Sequence, residues 1–212
     1  MSCNGFKPSS PRWFSFPGPR GRGFFCAKSL IAMLATSVMF GLGGCSSSGL
    51  QEHGIAEPEM RPEDFFTGFL TAHGVIKDWQ GGVARHFSAD ITACWSAGVG
   101  TLDESFVFDD GETQRRVWTL TPGEEATYVA TAGDVVGDGT ARWQGSAFFL
   151  DYTLRIELED GPIDVHIDDR MYRVSERVLI NQSKLKKFGF GVGEILLTII
   201  RHPDIGVECK AS

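Results

Sequence analysis

From Phe69 onward, apolar and polar residues alternate with a period of two, and the alternation is broken repeatedly by Gly, Asp and Pro. That period belongs to half-buried β-strands, because successive side chains of a strand point to opposite faces. The pattern predicts strands over Phe69 to Trp79, Val83 to Trp95, Thr101 to Phe108, Glu112 to Leu120 and Thr127 to Ala132. After Gly137-Asp138-Gly139 comes one long strand, in which Phe148, Leu150, Tyr152, Leu154, Ile156 and Leu158 share a face. Ile163 to Tyr172, Arg177 to Asn181 and Glu194 to Arg201 complete the set. Gln80-Gly81-Gly82, Asp109-Asp110-Gly111, Thr121-Pro122-Gly123 and Asp160-Gly161-Pro162 supply turns. Asp-Gly between alternating runs predicts a tight type I′ hairpin, which needs positive φ.

Helical signals are few. Glu63 to Leu70 after Pro62 reads as one short turn, and Ser183 to Phe188, with Ser183 as N-cap, as another. About eight to ten sequential antiparallel strands predict a mainly β fold: a meander closing into a lipocalin-like up-and-down barrel. A two-sheet sandwich is the alternative. A barrel of about eight strands is filled by its own side chains or holds one small ligand.

The first part of the chain has another logic. Lys7, Arg12, Arg20, Arg22 and Lys28 precede an apolar run from Leu30 to Leu42. That run, about 13 residues, suits a secretory signal and falls short of the roughly 20 a transmembrane helix needs. It ends in Leu42-Gly43-Gly44-Cys45, which resembles a bacterial lipobox. The reading is a signal peptide over residues 1–44 with an unusually long start, a lipidated flexible tether over 45–61, and one barrel domain over 62–212. Arg20 and Arg22 are split by Gly21, so the twin-arginine signal is absent. Ser46, not Asp, follows Cys45, which by resemblance to bacterial lipoproteins implies the outer membrane, facing the periplasm.

This division sharpens the charge. The whole chain carries −7, but five of its 20 Lys and Arg precede Cys45 and all 27 acids follow it, leaving about −12. Nucleic acid and anionic lipid repel such a domain, so no nucleic-acid partner is expected and attachment falls to the acyl chains. Of the five cysteines, Cys3 and Cys26 leave with the signal and Cys45 is acylated. Cys94 and Cys209 remain, either as a disulfide in an oxidising compartment or as two separate small hydrophobes.

Chemistry is sparse. Neither H-E-x-x-H nor G-x-S-x-G occurs, and His53, His73, His86, His166 and His202 show no metal-ligand spacing. Hence no catalytic residue, metal or cofactor is assigned. Asp109, Asp110 and Glu112, with Asp103 and Glu104 nearby, lack the EF-hand pattern and are explained by the turn. Lys184, Lys186 and Lys187 form a basic cluster that reads as solvated surface. The informative residues are two charges on faces that otherwise read as core. Arg116 shares its face with Gln114, Trp118 and Leu120, and Asp169 shares its face with Ile163, Val165, Ile167 and Met171. Buried charges must pair or bind something. One reading is an internal Arg116–Asp169 ion pair, or charges that snorkel to the barrel rim. The other has Arg116 receiving the anionic head of an amphiphile in a pocket lined by Phe106, Phe108, Trp118 and Tyr152.

The run Phe106-Val107-Phe108-Asp109-Asp110-Gly111-Glu112-Thr113-Gln114-Arg115-Arg116-Val117-Trp118 also carries a family resemblance. So do Asp134-Val135-Val136-Gly137, Asp168-Asp169-Arg170-Met171-Tyr172, Val178-Leu179-Ile180-Asn181 and Lys187-Phe188-Gly189. Together they resemble the bacterial lipoprotein family called domain of unknown function 3833. The resemblance implies an exported lipoprotein domain, likened to lipocalins at the level of architecture alone. Three functions stay open: carriage of a hydrophobic or amphiphilic molecule, a protein-interaction module with a filled barrel, and an enzyme acting on envelope lipids.

Overall fold

A computed structural model describes residues 57–158, 160–207 and 209; Cys45, the signal segment and residues 45–56 of the tether lie outside them. A single helical turn, α1 (Pro62–Phe65), precedes ten strands. These are β1 (Gly68–Asp78), β2 (Val83–Ser96), β3 (Val99–Phe108), β4 (Thr113–Pro122) and β5 (Thr127–Thr131). The second half is β6 (Gly139–Gln144), β7 (Ala147–Ile156), β8 (Ile163–Arg173), β9 (Val178–Lys187) and β10 (Phe190–His202). Each pairs antiparallel with its sequence neighbours, and β1 pairs with β10, closing the barrel. The sheet is thus one closed surface and not a sandwich.

Two local expectations are corrected. Ser183 to Phe188 is no helix: Ser183 and Leu185 point inward from β9, and Lys184 between them points out. The N-cap signal of Ser183 loses to strand pairing on both sides. The long strand after Gly139 is two strands, parted by a turn at Gly145, whose φ is 54°.

Turn chemistry also differs in place. Asp109-Asp110-Gly111 forms a three-residue loop, in which Gly111 N donates to Phe108 O and only the glycine has positive φ, 84°. The two-residue pattern with both φ positive occurs instead at Ala97-Gly98 and Phe188-Gly189.

Inward positions are apolar and outward ones carry charge. Outside the wall, Arg115 pairs with Asp103, Arg155 with Asp164 and Lys77 with Glu194. This inverts a barrel that faces lipid with apolar side chains.

One end of the barrel carries the β1–β2, β3–β4, β5–β6, β7–β8 and β9–β10 hairpins. The opposite end carries the chain entry and exit and is stoppered by α1. Met60, Phe65 and Phe66 are buried there. Three contacts hold the stopper: Trp95 Nε1 donates to Phe66 O at 2.6 Å, Tyr128 donates to Glu63, and Arg173 donates to Glu59 O at 2.6 Å. Trp95 lies so flat against Gly100 that a Cβ there would meet its ring at 2.7 Å.

A disulfide joins Cys94 of β2 to Cys209. Because β1 lies between β10 and β2, the bond ties the C-terminal end of the chain to a strand that β10 does not itself pair with. The bond spans 115 residues, a long loop in the unfolded chain. Replacing both cysteines by alanine is expected to lower stability by about 2–4 kcal/mol, measured by urea unfolding.

Candidate functional site

The barrel interior is not completely filled. A cavity of about 120 Å³ remains between the α1 stopper and an aromatic cluster at the hairpin end. Phe66 and Phe148 bound it below; Phe87, Phe106 and Leu197 bound it above. Beyond them, Ile76, Phe87 and Phe108 pack together, with the Arg85 guanidinium 3.9 Å over the Phe108 ring. Arg85 is held by Asp110 at 2.6 Å and Glu112 at 3.2 Å, which ties the β3–β4 turn to the barrel mouth.

A polar belt crosses this apolar space at mid-height. In the strand registers Glu104 stands opposite Arg116, Leu150 opposite Asp169, and Asp169 opposite Ser183. Glu104, Arg116, Tyr152, Asp169, Asn181 and Ser183 all line the cavity.

Of the residues singled out in the sequence, Phe106, Trp118 and Tyr152 line the cavity, and Trp118 meets Tyr152 edge-on at 5.0 Å. Phe108 does not: it has the right face but sits too near its turn, and packs in the upper cluster. Gln114, expected inward, is exposed, because it lies beyond the covered part of β4.

Arg116 points into the belt and is half-buried there, as its strand face predicts, but its partner is Asp134, not Asp169. Arg116 Nε and Nη2 reach the Asp134 carboxylate at 3.0 and 2.7 Å. The reason lies in the wall. β4 pairs with β5 only from Thr119 to Pro122, since β5 stops at Thr131. The loop after β5 bends back along β7, where Val136 N donates to Thr153 O and Arg155 N to Asp134 O, each at 2.8 Å. Between this loop and the first half of β4 the ladder is interrupted, and the Arg116–Asp134 fork spans the seam. Burial alone would lower the Arg116 pKa, but Tyr152, Asp134 and Glu104 outweigh it and raise it.

Sequence reasoning misses Asp134, Asn181 and Ser183, and it misses Glu104 because the neighbouring acids of the β3–β4 turn set it in a calcium context. Burial pushes the Glu104 carboxyl up to about 7; Arg116 opposes this, while Asp169 and Asp134 add to it. Asp169 is pushed up to about 6 by burial, with Ser183, Asn181, Arg116 and Tyr152 pulling part of the way back. Burial raises the Tyr152 hydroxyl well above its ordinary range, so it remains a neutral donor. Among the described residues no group of His, Cys, Asp and Glu is arranged to hold a metal ion.

One solved structure similar to this chain is an S-type phycobiliprotein lyase, CPES from Guillardia theta. Its TM-score is 0.51 at 14% identity, covering 74% of this chain and 98% of that one. At such identity the likeness shows a shared fold alone. No curated protein matches the chain. A family model described as "Protein of unknown function (DUF3833)" matches residues 39–201, most of the sequence, and the chain therefore belongs to the DUF3833 family.

Proposed function

We propose that this is a lipid-anchored envelope protein, tethered through Cys45 at the outer membrane, whose barrel binds the apolar part of a small molecule. The observation that carries the reading is the cavity: aromatic and aliphatic walls, a stopper at one end and a polar belt across the middle. Binding sites are commonly concave and apolar with a few placed polar groups. The lyase that shares the fold does not choose the function, since one architecture hosts many.

The geometry narrows the occupant. About 120 Å³ is slightly less than the roughly 150 Å³ of an engineered cavity that takes benzene. A long acyl chain does not fit this state; a single ring or short alkyl branch does. An anionic head also finds Arg116 already engaged by Asp134, with two further carboxyls beside it. Native mass spectrometry of the protein purified from membranes, followed by solvent extraction, is expected to reveal a bound low-mass compound. An empty barrel that also ignores small aromatic probes would refute the reading.

A second reading, the interaction module, has its own support. Trp79 is 64% exposed, Phe188 89% and Phe190 76%. β1 and β10 are paired, with Asp78 opposite Gly193, so the three rings crown neighbouring hairpins at one end. If this crown is the working surface, changing the three to serine abolishes function while leaving cavity occupancy unchanged.

A further inference from the structure

The belt keeps two buried acceptor atoms that meet no donor. Arg116 directs its Nε and Nη2 donors to Asp134, so that pair is closed and neutral. Two further carboxyls line the cavity and share the field of Arg116: Glu104, hydrogen-bonded by Trp118, and Asp169, hydrogen-bonded by Ser183, Asn181 and Tyr152. Asp169 is only 6% exposed, and its Oδ1 meets no hydrogen-bond partner. Asn181 is 3% exposed, gives its amide N–H to Ser183 Oγ at 3.2 Å, and leaves its Oδ1 unmet as well. Both residues line the cavity. An acceptor buried without a donor is costly, more so when it is charged, and native interiors seldom keep such atoms without a reason. Here the two residues that carry them line one cavity, beside a further carboxyl.

An occupant that brings donors and positive charge removes this deficit; one that brings acceptors or negative charge deepens it. We infer that Glu104, Asp169 and Asn181 form a subsite for a protonated nitrogen, so that the ligand class is a small apolar amine. Its ring or short alkyl body lies against Phe106, Trp118 and Phe148, and its ammonium group faces the carboxyls. The inference rests on the proposal that the cavity takes a small molecule, and adds the chemistry of the polar end. It also gives the Arg116–Asp134 fork a distinct place. The fork closes the wall at the seam between β4 and the β5–β6 loop, next to the subsite, and is not the head-group receptor.

The test uses the full-length chain in nanodiscs and three probes of one shape: benzylamine, toluene and benzoate. Affinities are read from tryptophan fluorescence, since Trp118 lines the cavity. Comparing wild type with variants in the same lipid cancels partitioning of the probes. Benzylamine is expected to bind about tenfold or more tighter than toluene, a difference of about 1.4 kcal/mol, and benzoate not at all. Asp169→Asn is expected to lose that preference while keeping toluene affinity, and Glu104→Gln, as an independent variant, to weaken it; circular dichroism confirms that each is folded. Equal binding of benzylamine and toluene, a preference for benzoate, or full preference retained in both variants overturns the subsite. Toluene binding without an amine preference removes the subsite alone. No binding of any probe removes the cavity reading with it.

Discussion

Arg116→Leu is expected to destabilise the protein by about 3–5 kcal/mol, among the largest effects of any single substitution in the barrel. The guanidinium is a buried cation amid three carboxyls. Its own side chain is 12% exposed and that of Asp134 27%, so solvent screens the pair only in part. Removing one member of such a pair strands the other in a low-dielectric interior, and that stranded charge accounts for most of the loss. The seam adds to it, because the fork spans a stretch of wall where β4 lacks a strand partner. Urea unfolding of wild type, Arg116→Leu, Asp134→Asn and the double variant measures this. The double variant is expected to recover part of the loss, as the stranded carboxylate is then gone. A loss below about 1 kcal/mol for Arg116→Leu would show that the fork is screened like an exposed pair.

The identity of that partner marks where the sequence stops being legible. Period-two alternation sets which face of each strand turns inward, because burial is decided residue by residue along a pleat. It does not set depth. Phe108 and Gln114 lie on inward faces, yet one packs above the cavity and the other reaches water, since both are close to the β3–β4 turn. Asp134 sits in a loop, where no periodicity speaks. Only the early stop of β5, which leaves half of β4 without a neighbour, explains why that loop supplies the counter-charge. Glu104 is legible in principle: it alternates with Phe106 and Phe108, so it is an acid on an aromatic face. The nearby acids of the turn disguise it as part of a charged cluster. β9 reads short for a related reason. Its inward residues Asn181 and Ser183 are polar because they belong to the belt, and polar residues break the very alternation that identifies a strand. The candidate site is thus the part of the barrel where pattern and burial disagree.

That disagreement has a pH signature. Glu104 rises from an ordinary 4.5 to about 7 and Asp169 from 3.8 to about 6, both mainly through burial. A carboxyl with a raised pKa binds its proton more tightly in the folded state than in the unfolded one. Its contribution is therefore complete below the unfolded value near 4 and is lost as pH rises through about 6 to 7. At pH 8 both carboxyls are ionised in an interior that disfavours their charge, so the two groups together oppose folding there. The acid limb has the other sign. Asp103 is lowered by its hydrogen bond from Arg115, and Glu194 by those from Gln182 and Lys77, so these contributions vanish as pH falls toward their own range. Stability is expected to peak near pH 5 and to fall steadily toward pH 8. In Glu104→Gln with Asp169→Asn the fall between pH 5 and 8 is expected to flatten, and the variant to exceed wild type at pH 8. Thermal unfolding across that range decides it, and a wild-type midpoint that climbs between pH 6 and 8 would contradict the assignment of these two carboxyls. A bound ammonium ion acts on the same pair as a proton does, by removing unbalanced negative charge from the interior. A bound amine is therefore expected to offset part of the alkaline loss of stability.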